Sequence, residues 1–188
     1  MTPTRRTFIA GTLVAATLAN GTARAEDAEV IEARVNLALG KMYAQVPGSR
    51  ELATRAKAIL VMPDVIKGGF IVGGSYGEGA LRINDPQIGY EKTGGYYSIG
   101  AASVGFQAGL QQTSHALFFL TDDALERFQR ADGWQVGVDA EVAFPDKGLN
   151  FGTDSTTAQK PVIAIVFGGD GLLLGASLEG AKYSRILR

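Results

Sequence analysis

A chain of 188 residues, 46 % of them apolar, is long enough for one domain with a sizeable core. A formal charge of −1 gives no basic surface for nucleic acid. With no cysteine, disulfides, thiolate metal sites, a cysteine nucleophile and lipoprotein lipidation are excluded.

The first 25 residues stand apart. Thr4-Arg5-Arg6-Thr7-Phe8-Ile9 is a twin-arginine pattern, and a weakly apolar stretch runs from Phe8 to Ala19. Ala23-Arg24-Ala25 then supplies a small-x-small cleavage signal. The stretch is shorter than the roughly 20 residues a membrane-spanning helix needs. These features predict a twin-arginine-type signal peptide over 1–25, cleaved after Ala25, and a periplasmic product. General secretion is the alternative route, because Thr4 and Ala10 stand where that pattern prefers Ser and Lys. Residues 1–25 hold Arg5, Arg6 and Arg24 and no acid, so their removal takes the charge from −1 to −4. Contact with an anionic membrane must then be local and partly apolar.

Residues 26–188 read as a single domain without repeat or linker. Ile31, Val35, Ala38, Leu39, Met42 and Val46 form one stripe at helical spacing, ended by Pro47-Gly48. Ser49 is the expected cap of a second helix that turns Leu52, Ala56 and Ile59 inward. This pair either packs on the core or, given Arg34, Lys41, Arg50, Arg55 and Lys57, lies at a membrane interface. From Ile59 the pattern turns to β. Ile59–Met62 is a short buried run broken by Pro63-Asp64, and 70–72 and 80–83 flank a Gly73–Gly79 loop. Tyr96–Leu110 is the longest candidate strand, with a change of apolar phase that predicts a bulge near Ala102–Ser103. Ser114–Leu120 is another strand, and Asp122–Arg130 a short helix with Asp122 as cap and Leu125 and Phe128 inward. Trp134–Phe144 alternates like a half-buried strand, and Pro161–Phe167 and Leu172–Leu174 form a hairpin about Gly168–Gly171. The 25 glycines, nearly twice the usual share of about 7 %, interrupt apolar runs and so predict a strongly curved sheet.

Catalytic signals are sparse. His115 and Ser114 are neighbours in a strand and so point to opposite faces, which a Ser-His pair cannot use. One histidine without cysteine does not make a zinc site, and Asp132 and Asp139 lack the spacing of a calcium loop. The loops 73–79 and 168–171 lack the Lys-Ser/Thr ending and following helix of a phosphate-binding loop. Among Asp85, Glu91, Asp139, Glu141 and Asp170 no spacing singles out a catalytic carboxylate pair. Lys67-Gly68-Gly69-Phe70 is the exception of interest: a lysine beside open backbone amides suits a lipid phosphate, and Phe70 an acyl chain. The plain alternative is a solvated lysine before a strand.

Several motifs occur together and in order. They are Lys67-Gly68-Gly69-Phe70, Tyr96-Tyr97-Ser98-Ile99-Gly100-Ala101-Ala102-Ser103, Gln107-Ala108-Gly109, the Leu125…Phe128 helix and the tail from Lys160 to Ile186. In these the chain resembles the SYLF family of lipid-binding domains. Glu141, and Tyr183-Ser184 near the end, depart from the family's usual residues. The resemblance implies a non-enzymatic module that binds phospholipid or a membrane surface; eukaryotic members are associated with phosphoinositides and actin. For an exported bacterial chain the expected partner is anionic phospholipid or another envelope amphiphile, with no cofactor and no metal. Phe70, Tyr96 and Tyr97 are the candidates to enter the interface, and Lys67, Lys182 and Arg185 to pair with head groups. The rival is an envelope interaction or scaffold protein that does not bind lipid. The expected fold is α+β: N-terminal amphipathic helices on a strongly curved, glycine-rich, barrel-like antiparallel sheet.

Overall fold

Helix α1 (Ala28–Gln45) and helix α2 (Ser49–Arg55) precede four long strands, β1 (Ala58–Gly69), β2 (Val72–Asp85), β3 (Tyr90–Val104) and β4 (Leu110–Phe119). Helix α3 (Asp122–Arg130), β5 (Trp134–Gln135), β6 (Val162–Gly168), β7 (Gly171–Leu172) and β8 (Lys182–Ile186) complete the chain. The computed structural model describes residues 27–69, 72–85, 90–104, 110–140, 142–144, 160–168, 171–173, 178 and 180–188. The leader-like segment, Phe70, Phe106, Ala108, Glu141 and Asp170 lie outside them.

The strands form one sheet in the order β5-β8-β3-β2-β1-β4-β6-β7, and every neighbouring pair is antiparallel. Its curvature follows from one comparison. Phe119 on β4 and Trp134 on β5 are five strand steps apart, about 24 Å in a flat sheet. Their ring centroids are 6.2 Å apart. The sheet is therefore curled into a half-barrel around a concave core. That core gathers Leu60, Leu81, Tyr97, Ile99, Leu117, Phe128, Trp134 and Tyr183, with α3 plugging it through Leu125 and Phe128. Helices α1 and α2 cover the convex face, where Ile31, Val35, Leu39, Met42 and Leu52 meet Ile59, Val61, Phe118, Ile163 and Phe167. Because β1, β4 and β6 are covered on both sides, they read as continuous apolar runs. Each large side chain buried this way contributes about 1.5–3 kcal/mol. The expected α+β architecture is the one observed, and the stripe on α1 is a packing face: Ile31, Val35 and Met42 are fully buried.

Several local expectations are corrected. Ser49 does not cap α2; Gly48 does, in a left-handed conformation (φ 78°), while the Ser49 hydroxyl donates to the Val46 carbonyl at 2.6 Å and ties α2 to the end of α1. Pro63-Asp64 does not end its strand. It forms a one-residue bulge in β1, which shifts register against both β2 and β4, and Asp64 takes φ 54°. The missing N–H of Pro63 is harmless where the ladder is already interrupted. Residues 73–79 are strand, not loop. Gly79 passes so close to β1 that a Cβ would strike the Val61 carbonyl oxygen, which is why a glycine-rich segment can curl there. The long strand runs over Tyr90–Val104, and Leu110 already belongs to β4. Its irregularity falls between Gly95 and Thr93, at Gly94, and not at 102–103. Thr121, not Asp122, caps α3: its hydroxyl oxygen accepts from the Ala124 amide at 3.3 Å. Beyond Gln135 the alternating 134–144 segment becomes a turn. There the Asp139 carboxylate accepts from the Gln135 amide at 2.6 Å, Gly137 takes φ 84°, and Val138 is 73 % exposed. The hairpin about 168–171 forms as expected, with Phe167 opposite Leu172 and Gly168 opposite Gly171.

Candidate ligand-binding surfaces

Cross-strand partners share a face, so the register assigns each candidate to a side of the sheet. Lys67 pairs with Ser75, which pairs with Ala101, a residue packed against the concave core. Lys67 is thus exposed on the concave side near the β1–β2 connection. Tyr97 belongs to that core, its ring 4.8 Å from Phe128, and it is 3 % exposed. Arg185, opposite Tyr97, is exposed. Burial pushes the Tyr97 phenol above its ordinary value, and the Arg185 charge partly offsets this. Tyr96 faces the other way, half-buried beside α1, and donates to Glu32 at 3.1 Å. Lys182 is exposed on the convex side. The structure therefore divides the described candidates between two faces: Lys67, Tyr97 and Arg185 on one, Tyr96 and Lys182 on the other.

The convex face carries a surface that sequence reasoning missed. Ile66 pairs with Tyr76, Tyr76 with Gly100 and Gly100 with Lys182, one transverse row across β1, β2, β3 and β8. The helices do not reach it. Ile66 is 52 % and Tyr76 57 % exposed, and space above Gly100 is open. Beside the row the Tyr76 hydroxyl donates to Glu78, whose carboxylate is neutralised by Arg188 at 2.6 Å. Two exposed apolar side chains therefore lie in line with a cation, and the Glu78 carboxylate beside them is compensated. Ile66 faces outward only because the bulge at 63–64 shifts the phase of β1, and alternation alone does not disclose that.

At the other end of the sheet a cleft of about 910 Å³ opens between α2, the end of β2, the start of β3 and α3. Ala53, Ala56, Ile83 and Leu125 supply apolar lining, and Arg50, Arg55, Lys57, Asp85, Glu91 and Asp122 bring charge to it. Asn84 fixes its floor by donating to the Ala56 carbonyl at 2.6 Å and the Ala53 carbonyl at 3.2 Å. Two of the acids are spoken for: Asp122 by Lys57 at 3.1 Å and Asp85 by Lys92 at 2.7 Å. The Arg50 guanidinium sits over the Tyr43 ring, 4.7 Å from its centroid. Burial raises the Tyr43 phenol; the Glu91 charge adds to this and the Arg50 charge opposes it. Both charges thus act on one ring.

Nothing in the described residues assembles catalytic machinery. His115 pairs with Val166 on the concave side and Ser114 with Phe167 on the convex side, so the two diverge. The His115 Nε2 lies 3.1 Å from the Thr113 hydroxyl, its Nδ1 has no partner among the described residues, and burial lowers its pKa to about 4. The buried Tyr97 and Tyr183 hydroxyls also lack a partner among the described residues. No cluster of three metal-ligating side chains occurs among them, and no described helix is long and apolar enough to cross a membrane.

Residues 100–185 match the family model described as Ysc84, Las17-binding protein actin regulator. The match takes in the last third of β3, then β4, α3 and the strands up to Arg185 in β8. No curated protein matches the chain.

Proposed function

We propose, from the match of residues 100–185 to the Ysc84 family model, that the protein is a non-enzymatic, exported module that binds phospholipid surfaces of the bacterial envelope. The observation that carries this reading is the exposed row Ile66–Tyr76–Gly100–Lys182 on the convex face. Exposed apolar side chains in line with a basic one suit the boundary between head groups and acyl chains, where an aromatic ring with a polar tip is favoured. Ile66 and Tyr76 enter that boundary. Lys182 supplies about 1 kcal/mol near an anionic surface. Lys67 and Arg185 lie on the concave side and reach the membrane only as peripheral contacts. Tyr97, in the core, holds the sheet in shape and makes no lipid contact.

The actin-regulating description belongs to the family as a whole, and an exported bacterial chain meets no actin. A net charge of −4 without residues 1–25 makes the attachment local, so it depends on both the apolar pair and the few cations.

The test is vesicle flotation of the chain beginning at residue 26, with anionic and neutral lipid at two salt concentrations. Flotation with anionic vesicles is expected, weakened by salt and by Lys182→Glu, and less by Lys67→Glu on the concave side. The double variant Ile66→Asp/Tyr76→Asp, if it keeps its circular-dichroism spectrum, is expected to abolish it. No flotation with any lipid sinks the membrane reading and leaves a protein partner for the same surface.

A further inference from the structure

The cleft beside α2 has a second, independent chemistry. Asp85 and Asp122 are engaged by Lys92 and Lys57, but Arg50 and Glu91 are not within ion-pair distance of each other or of any other charged group among the described residues. They line the same cleft, both act on Tyr43, and they come from different walls: Arg50 from α2, Glu91 from β3. Opposite charges that share a concave, partly apolar site usually close into a salt bridge. Here the spacing of the walls is fixed. Asn84, directly opposite Glu91 in the β2–β3 register, is anchored to the carbonyls at the end of α2, and Arg50 is stacked on Tyr43. The stacked guanidinium keeps a planar fork with fixed orientation, the geometry that accepts a phosphate or carboxylate.

We infer that this cleft binds a small zwitterion, with its phosphate or carboxylate on Arg50 and its ammonium on Glu91. Apolar lining from Ile83 and Leu125 leaves room for a short aliphatic body. The site lies apart from the convex row: Asn84 is eight residues beyond Tyr76 on β2, about 27 Å along the strand. It does not depend on the membrane reading, and either can fail alone. An amino-phosphate of this kind occurs free and as the head group of a zwitterionic lipid, and the probes must separate these sources.

The experiment is titration of the full chain with phosphoethanolamine, inorganic phosphate, ethanolamine and dihexanoylphosphatidylethanolamine below its micelle concentration, followed by side-chain and amide resonances of Arg50, Ala56, Glu91 and Leu125. Phosphoethanolamine is expected to shift these resonances saturably and to bind at least about tenfold more tightly than phosphate or ethanolamine, since two charge-assisted contacts replace one. Arg50→Gln and Glu91→Gln are each expected to lose about tenfold, while Arg130→Gln, on the exposed side of α3 and outside the cleft, leaves the titration unchanged. Arg50→Lys keeps the charge without the fork and is expected to fall between. Tighter binding of the short-chain lipid than of phosphoethanolamine assigns the site to a lipid head group, and equal binding assigns it to the free zwitterion. The inference is overturned if phosphoethanolamine binds no more tightly than phosphate, or if both glutamine variants, with unchanged melting temperature, titrate like the parent.

Discussion

Single side chains set both the pH response and the tightest packing in this protein. His115 is 6 % exposed with its Nδ1 unpartnered among the described residues, and its pKa is lowered from 6.5 to about 4. The folded state therefore holds a neutral imidazole where the unfolded chain binds a proton below pH 6.5. Stability from this group is fully present above pH 6.5 and is lost as pH falls toward 4, by roughly 3 kcal/mol in all. Urea unfolding between pH 7 and 4 should show this slope, and His115→Leu should flatten it; equal slopes in both proteins would exclude the histidine as its source. Glycines differ in the same way from one position to the next. At Gly79 a Cβ would meet the Val61 carbonyl oxygen and lie 2.8 Å from the Met62 sulfur, whereas at Gly100 nothing stands within 4 Å. Gly79→Ala is expected to cost about 3 kcal/mol and Gly100→Ala less than about 1, compared by thermal unfolding. Composition gave the excess of glycine but could not separate these two, because the difference lies in which strand passes beneath.

The elements were legible where one face decides the pattern. Helix α1 announces itself through Ile31, Val35, Leu39 and Met42, and α3 has the bounds its sequence suggests. Caps were harder to place, since Thr121 and Asp122 are both good cap residues and only backbone geometry chooses between them. Thr121→Ala should cost about 1 kcal/mol by removing the bond to the Ala124 amide, while Asp122→Ala, an exposed residue paired with Lys57, should cost less. Chemical denaturation of the two variants ranks them, and the reverse order would make Asp122 the working cap. Trp134–Phe144 misled for a related reason. Alternation is what a half-buried strand produces, but a tight turn with Val138 pointing to solvent produces it equally. The hydrogen bonds that distinguish them run from Gly137 to Ala140 and from Asp139 to Gln135, and no apolar pattern records those.

On the scale of the whole molecule, curvature was legible and its consequences for the surface were not. Alternating apolar residues and interrupting glycines are enough to anticipate a bent antiparallel sheet with helices on one side. They do not tell which residues remain uncovered. The motif residues chosen from the sequence were split between two faces, while Ile66 and Tyr76, in unremarkable positions, became the exposed pair. Arg50 and Glu91 are 41 positions apart in the chain, and only the anchoring of α2 to the end of β2 brings them to one cleft. Long-range pairing of this kind leaves no local trace.

The bulge at Pro63-Asp64 works as a phase setter for the whole β1–β2 hairpin. Every residue beyond it toward the connection owes its side of the sheet to that single inserted position. A chain lacking Asp64 would exchange the two surfaces there: Lys67 would join the outer row beside Tyr76, and Ile66 would turn toward the hollow of the half-barrel. The polarity of this end of the molecule is thus written by chain length at one point, and a one-residue deletion inverts it without any substitution in the residues that exchange sides.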